Sequence, residues 1–289
     1  MDRCNIFSEN FYGFLEKLRL TYKSSSISYL RFGTGARPAF CFHGYGEEAS
    51  SFSFLEKYAG NEFTFYAIDL PFHGDTKWNE GYDCLTDDIQ HIVEGILAEN
   101  NPKPETQNPK LSLIGFSLGG RVALALYEKI PSQIERLVLL APDGLKVNFW
   151  YWLSTQTWMG NRLFLFTMKH PEWFFGFLKM LNKLKLVNAS IFKFVNYYIG
   201  DKDVRQLLYA RWITLRKIKP NISHVKRLIG KNKTVVRLVY GMHDRIILSS
   251  VGEKFRKGIE KQCTLTVIHS GHQVLHENHV EEILPPLLL

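Results

Sequence analysis

The sequence predicts an α/β protein in which a mostly parallel sheet is covered by helices on both faces. Short apolar runs rich in β-branched and aromatic residues alternate with helix-like segments along the chain. The runs are continuously apolar rather than alternating, which is typical of strands buried on both faces. A chain of 289 residues is long enough for one such domain that carries an insertion.

The predicted strands, in chain order, read "ISYLRF", "AFCFHG", "FTFYAIDL", "LSLIGF", "RLVLLAP", "TVVRLVYG" and "LTVIHSG". Helical patterns lie between several of them, over Leu85 to Glu99 and over Leu118 to Lys129. The spacing changes in one place, because residues 145–233 separate "RLVLLAP" from "TVVRLVYG", far more chain than one crossover helix needs. We therefore predict a core domain formed by residues 1–144 and 234–289, with a helical cap, or lid, inserted at 145–233.

The predicted cap differs from the core in charge. It holds 17 of the 36 Lys and Arg residues but only three of the 28 Asp and Glu residues, so it carries +14 and the rest of the chain −6. Five of the six tryptophans also lie there. A surface of one sign beside an active-site mouth steers partners of the opposite sign. We expect an anionic substrate, an acidic carrier protein or peripheral contact with an anionic membrane surface.

Composition argues against several classes of protein. The four cysteines are scattered, so we predict reduced thiols and no zinc site, disulfide framework, metal or cofactor: Cys4, Cys41, Cys84 and Cys263. Charged residues and a proline interrupt the most apolar stretch, residues 163–181, so no transmembrane segment is predicted. The N-terminus lacks a signal-peptide core, and a cytoplasmic location is the default. No nucleic-acid-binding module is visible.

One predicted strand ends in a motif that places a serine on a sharp turn. "LSLIGF" runs into "SLGGR", so Ser117 lies between Gly115 and Gly119 where the strand gives way to a helix. Glycine lacks a Cβ and allows both a tight turn and close packing of neighbouring elements. A G-x-S-x-G sequence between a strand and a helix is typical of a nucleophile elbow. Ser117 is therefore the predicted nucleophile.

A serine hydroxyl needs a base to take its proton, and four histidines near the C-terminus are candidates. His272 follows the last predicted strand and precedes the helix-like "QVLHENHVEEIL", which is where a catalytic histidine reaches over the sheet edge. His269 is a strand-end residue by this reasoning. His276 and His279 belong to the helix-like segment. His272 is the predicted base.

The imidazole of the base needs a carboxylate that orients it and stabilises its charged form. Asp244 lies just past "TVVRLVYG", behind a turn glycine, and is the predicted acid. Asp143 in "LLAPDG" holds a similar position one strand earlier and stays open as an alternative acid. His243 is interpreted as a loop neighbour of Asp244.

An oxyanion hole requires backbone N–H groups aimed at the developing negative oxygen. The predicted donors are the N–H of Leu118, directly after the nucleophile, and the N–H of Tyr45 in the loop after "AFCFHG". His43 precedes the serine in the chain and is interpreted as a hydrogen-bonding anchor of that loop. The phenol of Tyr45 also walls the expected pocket.

Five motifs occur together in this chain: "HGYG", "DLPFHG", "GFSLGG", "GMHDRI" and "SGH", with the long insertion before the fourth. In this order they resemble the α/β-hydrolase superfamily, over nearly the whole chain outside the first twenty residues and the insertion. The resemblance implies an eight-stranded, mostly parallel sheet with a helical cap, and a Ser117, Asp244 and His272 triad. Similar members include carboxylesterases, pimeloyl-carrier methyl ester esterases, meta-cleavage-product C–C hydrolases and proline peptidases. Dehalogenases and epoxide hydrolases of this fold carry aspartate at the nucleophile position, so Ser117 argues against both.

The leading hypothesis is hydrolysis of a carboxylic ester or thioester through an acyl-serine intermediate, with the aromatic, basic cap over the site. A C–C bond hydrolase is an alternative, in which paired cap arginines would bind carboxylates: Arg162, Arg205, Arg211 and Arg216 are the candidates. A non-catalytic binding protein that keeps the fold is a second alternative.

Overall fold

The computed structural model describes residues 15–100, 110–183 and 199–288, the last four of these by their backbone alone. Within these ranges, eight strands form one sheet: β1 Glu16–Tyr22, β2 Ser25–Phe32, β3 Arg37–Phe42, β4 Phe63–Ile68, β5 Leu111–Phe116, β6 Ile134–Leu140, β7 Val235–Gly241 and β8 Cys263–Ile268. Their order across the sheet is β1-β2-β4-β3-β5-β6-β7-β8. β2 pairs antiparallel with β1 and β4, and the other pairs are parallel. The predicted fold class, with its eight mostly parallel strands, is confirmed.

The central strands are buried along most of their length, as their continuous apolar sequence predicts. Every residue of β5 is buried, and Phe40 and Ile114 have no exposed surface. β1 was not among the predicted strands. It lies at the sheet edge, where exposed Lys17 and Arg19 alternate with Leu18 and Leu20, so its sequence lacks the continuous apolar run of the central strands.

Ten α-helices lie in the described ranges: α1 Leu55–Ala59, α2 Thr86–Asn100, α3 Leu118–Lys129, α4 Phe149–Gln156, α5 Trp158–Lys169, α6 Glu172–Lys183, α7 Lys202–Thr214, α8 Ile222–Asn232, α9 Ser249–Arg256 and α10 Val280–Leu288. α2 and α3 match the two helical patterns of the sequence. The helix-like segment after His272 contains helix only from Glu277, where a 3-10 turn begins and leads into α10. The His276 ring accepts a bond from the backbone N–H of Asn278 and caps that turn.

Helices α4 to α8 follow β6 and precede β7, and we call residues 145–233 the helical insertion. Residues 184–198 of this segment lie outside the described residues, as does Cys4 of the four predicted thiols. Side chains of Asn148, Thr157, Asp201 and Asn221 accept backbone N–H bonds at the starts of four of these helices. Such caps satisfy the orphan donors of a helix N-terminus, so the sequence sets where these helices begin.

The helical insertion has a small apolar cluster of its own, formed by Met168, Ile199, Leu208, Tyr209 and Ile213. It contacts the core through Arg211 of α7, whose Nε donates to the Phe72 carbonyl at 2.9 Å. Among the described helices, none is long and apolar enough to cross a membrane.

Candidate active site

Ser117 stands on a strained turn between β5 and α3. Its backbone has φ 48° and ψ −113°, a left-handed conformation that costs energy for any residue with a Cβ. Three backbone bonds hold the turn: the Ser117 N–H donates to Leu140, and the Ser117 carbonyl accepts from Gly120 and Asp143 at 2.9 and 2.8 Å. The surrounding structure therefore maintains the strained conformation, in which Ser117 is half-buried.

Glycines flank Ser117 because the neighbouring backbones approach too closely for a side chain. A Cβ on Gly115 would lie 2.5 Å from the carbonyl oxygen of Gly119. A Cβ on Gly119 would overlap the carbonyl oxygen of Phe42, the last residue of β3. The turn thus brings the N-terminus of α3 against the loop that leaves β3, so the two elements predicted to carry oxyanion donors are neighbours.

The structure brings the predicted nucleophile, base and acid together. The Nε2 of His272 lies 3.0 Å from the Ser117 hydroxyl, and its Nδ1 lies 2.7 Å from Oδ2 of Asp244. The side chain of Asp244 is fully buried, whereas that of His272 is about one-fifth exposed. With Nδ1–H donating to the carboxylate, Nε2 presents a lone pair to the serine O–H, which is the tautomer that proton abstraction requires.

Asp244 is held independently of the histidine. Its Oδ1 accepts the backbone N–H groups of Ile246 and Ile247 at 2.7 and 2.9 Å, which fixes the carboxylate plane. One oxygen therefore anchors the side chain while the other meets the imidazole. The ring of Phe116 packs beside the His272 ring at 5.4 Å between centroids.

Asp143, the alternative acid, faces a different partner. Its Oδ1 accepts the N–H of Gly144, and its Oδ2 lies 3.5 Å from the buried Arg121 guanidinium, which also stacks on the Tyr151 ring. It is Asp244, and not Asp143, that bonds to the His272 ring. The residue that the sequence left open as an alternative acid thus belongs to an ion pair under the helical insertion.

The other histidines considered from the sequence have contacts that do not involve Ser117. His243 and His269 are exposed and contact each other, with their Nε2 atoms 3.2 Å apart. His276 caps the turn before α10, and His279 ends that turn. In the parts of the chain that the structure describes, no group of three or more His, Cys, Asp or Glu side chains is arranged to hold a metal ion.

The predicted oxyanion donors lie on the two neighbouring elements. Leu118 is the first residue of α3, so its N–H has no partner within the helix. Tyr45 follows Gly44 in the loop after β3, and a Cβ on Gly44 would lie 2.9 Å from the Phe116 ring. Close packing of this loop against the nucleophile strand brings the Tyr45 backbone to the edge of the sheet where Ser117 stands.

The buried side chain of His43 anchors that loop through hydrogen bonds, as the sequence suggested. Its Nδ1 donates to the Gly44 carbonyl at 2.8 Å, and its Nε2 accepts the N–H of Leu70 at 3.1 Å. Burial lowers the pKa of His43 to about 4, so the ring is neutral at physiological pH. The side chain of Asp69 supports the same region by accepting backbone N–H groups from Ala49 and Asp75.

Two polar residues bridge the loops of the site and were not singled out from the sequence. Oε1 of Glu47 accepts from the Gln273 amide at 2.8 Å, and Oε2 accepts from the Gly44 N–H at 3.3 Å. Glu47 therefore joins the loop of Tyr45 to the loop of His272. Burial raises the pKa of Glu47, although its bonds to Gln273 and Gly44 act in the opposite direction.

A cleft of about 670 Å³ opens between the helical insertion and the core loop that carries Phe72 and Tyr82. Apolar and basic side chains line it from the insertion, among them Leu165, Met168, Lys169, Lys202 and Arg205, together with Asp203. The triad is not among the described residues that line it. Arg211 connects the cleft to the loop of Tyr45. Its Nε donates to the backbone carbonyl of Phe72, which lines the cleft, and its guanidinium lies 5.5 Å from the centre of the Tyr45 ring.

The four candidate cap arginines are each engaged elsewhere. Arg162 stacks on Trp158 at 4.6 Å, and Arg216 lies 3.7 Å from Asp83. Arg205 donates to the backbone carbonyl of Met168 at 2.9 Å. With Arg211 bound to Phe72, none of these four forms the pair pointing into a pocket that a dicarboxylate site would require.

A family model described as serine aminopeptidase, S33, matches residues 38–281 of the chain. This span is well over half of the chain and contains all five motifs around the site. The chain belongs to the S33 serine aminopeptidase family. The fold and this match together establish that it is an α/β-hydrolase, as the motifs predicted.

Curated relatives of this S33 chain include an esterase. Pimeloyl-[acyl-carrier protein] methyl ester esterase of Nitrosomonas europaea is 28% identical over 245 residues, a match covering 80% of this chain and 86% of that protein. A serine hydrolase-like protein of Danio rerio is 29% identical over 113 residues, or 37% of this chain, and the chain spans about a third of that relative, 32%.

Solved structures share the fold. A thermophilic esterase from Thermogutta terrifontis superposes with a TM-score of 0.65 at 17% identity, and the match covers 94% of this chain and 98% of that one. At this identity the likeness extends to the fold alone. The S33 chain is thus a hydrolase by family, and its own site geometry must supply the chemistry.

Proposed function

We propose that the protein hydrolyses a carboxylic ester or thioester through an acyl-serine intermediate on Ser117. The observation that carries the proposal is the continuous hydrogen-bonded chain from the Ser117 hydroxyl through His272 to Asp244, at 3.0 and 2.7 Å. In this arrangement a base contacts the nucleophile and a buried carboxylate orients the base. The esterase among its relatives supports the same reaction class.

The reaction proceeds in two halves. His272 Nε2 takes the Ser117 proton as Oγ attacks the acyl carbon, and the imidazolium returns that proton to the leaving alkoxide or thiolate as its bond to carbon breaks. Water then attacks the acyl-serine, with His272 again accepting a proton and returning it to Ser117. The carboxylic acid leaves, and the enzyme regains its starting protonation.

The negative oxygen formed in each half needs donors that are already in position. The N–H groups of Leu118 and Tyr45 serve as this oxyanion hole in our proposal. Support comes from Gly119, whose contact with Phe42 keeps the helix start and the loop together, and from Glu47, which ties that loop to the one bearing His272.

The helical insertion acts in this proposal as a cap that admits an anionic substrate. Its apolar side chains in the cleft suit an acyl chain or aryl group, and Lys169 and Lys202 at the same cleft favour a carboxylate or another anionic group of the substrate or its carrier. The C–C hydrolase alternative gains no support, because the arginines it requires are bound elsewhere.

A fluorophosphonate probe and a panel of nitrophenyl esters test the proposal. The parent protein should be labelled and should hydrolyse at least one ester or thioester, whereas Ser117→Ala should lose labelling and about 10³-fold or more of the activity. Ser154→Ala, in α4 of the insertion, serves as the matched control and should retain both. An aminoacyl nitroanilide in the panel reports amide hydrolysis. Labelling that persists in Ser117→Ala would refute the assignment of Ser117 as the nucleophile.

A further inference from the structure

Helix α5 is apolar on two opposite faces, and within the described parts of the chain only one of them packs against other elements. Phe164 packs on Tyr209 and Trp212 of α7, and Leu165 and Met168 line the cleft. The other face carries large apolar side chains that are more than half exposed, namely Trp158, Met159, Leu163 and Phe166. A helix that is apolar all round has a partner on each face in a stable arrangement.

The exposed stripe of α5 continues onto α6. The rings of Phe166 and Trp173 lie 6.4 Å apart, and Trp173, Phe177 and Met180 follow one another at helical spacing on the exposed side of α6. We call these exposed residues of α5 and α6 the aromatic face. Single exposed apolar residues are ordinary on a protein surface, but a contiguous patch of this kind marks an interaction site.

Basic residues border the aromatic face. Residues 158–183 contain four Lys or Arg and a single acid, Glu172. Arg162, Lys179 and Lys183 are exposed, and the Arg162 guanidinium stacks on Trp158 at 4.6 Å. The face therefore combines tryptophan and other large apolar side chains with positive charge, which is the composition of helices that lie in a membrane interface.

We propose that the aromatic face docks the protein on an anionic lipid surface, with α5 and α6 lying along it. Three features favour lipid over a protein partner. The apolar side chains form stripes along two helices rather than a pocket that would receive an anchoring side chain. A second copy would bring two basic faces together, which like-charge repulsion opposes. The positive border complements the negative charge of anionic headgroups.

The proposal goes beyond hydrolysis and does not depend on Ser117. It also gives α5 a consistent role, since the same helix exposes one face to the lipid and lines the cleft with the other. A substrate dissolved in or attached to the bilayer would then meet the cleft at the membrane surface.

Co-sedimentation with vesicles tests the proposal. We expect binding to phosphatidylcholine vesicles that contain phosphatidylserine, weaker binding to phosphatidylcholine alone, and a decrease with added salt. Reversing the basic border should weaken binding about a hundredfold or more, at about fivefold for each positive charge lost: Arg162→Glu, Lys179→Glu and Lys183→Glu. Truncating the apolar stripe should weaken it about tenfold or more: Trp158→Ser, Leu163→Ser and Phe166→Ser.

Control variants reverse the same number of charges, and truncate the same number of exposed apolar side chains, elsewhere on the protein. Lys254→Glu, Lys257→Glu and Lys261→Glu alter exposed lysines near β8, and Leu15→Ser, Leu85→Ser and Val267→Ser alter exposed apolar residues outside the face. Both controls should bind vesicles like the parent, and circular dichroism should match for all. Hydrolysis of a water-soluble ester should be unchanged by every variant, which separates this proposal from the proposed function.

Three outcomes would overturn the proposal. The first is no binding to either vesicle. The second is binding that the face variants and the control variants weaken equally. The third is a dimer in sedimentation velocity that the Trp158, Leu163 and Phe166 variant dissociates while vesicle binding is absent, since the face would then be an interface between two copies.

Discussion

Asp244 performs two tasks with one carboxylate. Its Oδ1 is fixed by the N–H groups of Ile246 and Ile247, and its Oδ2 meets the imidazole of His272 at 2.7 Å. An amide in its place would keep the size of the side chain but could present N–H₂ to the ring, which favours the tautomer that cannot accept the serine proton. In the proposed mechanism, the charge and orientation of this one group therefore govern the activation of Ser117.

Exchanging each candidate acid for its amide separates their roles. Asp244→Asn should lower kcat about 10³- to 10⁴-fold with little change in KM, because the base loses its orienting charge. Asp143→Asn should lower kcat less than about tenfold, since Asp143 faces Arg121 instead. Steady-state kinetics on the best ester of the panel measures both variants. A larger loss of kcat in Asp143→Asn than in Asp244→Asn would identify Asp143, after the earlier strand, as the acid.

At the scale of elements, the sequence predicted the site residues whose positions follow from the order of strands along the chain. It missed the residues that meet only through contacts between loops. Ser117, Asp244 and His272 each follow a strand that the sequence predicts, and parallel strands bring their carboxyl ends to one edge of the sheet. Glu47 and Gln273 are 226 residues apart and meet only because two loops converge there. Likewise, the engagement of Arg205 and Arg211 with backbone carbonyls has no signature in residue type or spacing.

The close contact between α3 and β3 can be tested by adding one methyl group at Gly119. Gly119→Ala would place a Cβ on top of the Phe42 carbonyl oxygen, so α3 would have to move and separate Leu118 from the loop of Tyr45. We expect about 1–3 kcal/mol of destabilisation in urea unfolding and about 10²-fold or more loss of kcat. A fully active Gly119→Ala protein would argue against these oxyanion donors.

Gly230→Ala is the matched control for this methyl group. Gly230 lies inside α8, is exposed, and has no neighbouring atom within 4 Å of the position that a Cβ would occupy. Because alanine lowers the conformational entropy of the unfolded chain and favours helix, the free energy of unfolding should rise by about 0.5–1 kcal/mol, with kcat unchanged.

At the scale of the whole molecule, two neutral histidines are buried beneath the loop of Tyr45. His43 and His73 pack with ring centroids 4.9 Å apart, and both are almost fully buried. Burial lowers the pKa of His73 well below its ordinary value, with the charges of His43 and Arg211 acting in the same direction. For His43, burial is again the main cause of the lowered pKa, partly opposed by the Gly44 carbonyl and Asp69. Protonating either ring in the folded state is therefore unfavourable.

This burial makes the stability of the fold sensitive to acid. The unfolded chain binds a proton at His43 near the ordinary pKa of 6.5, whereas the folded protein binds it only near 4. The stabilisation is complete above pH 6.5 and is lost as pH falls toward 4, because the unfolded state then binds more protons than the folded one. The shift corresponds to about 3 kcal/mol for His43, and His73 adds to it in the same direction.

The free energy of unfolding, measured in urea as a function of pH, should therefore fall between about pH 6.5 and pH 4. His43→Gln removes one titrating group and should flatten this slope, although the lost ring packing lowers stability at neutral pH. His91→Gln, on the exposed side of α2, is the matched control and should leave the slope as it is. A parent slope that His43→Gln leaves unchanged would mean that other groups govern the acid response. A flattened slope would identify protonation of the buried His43 as one cause of the loss of stability in acid.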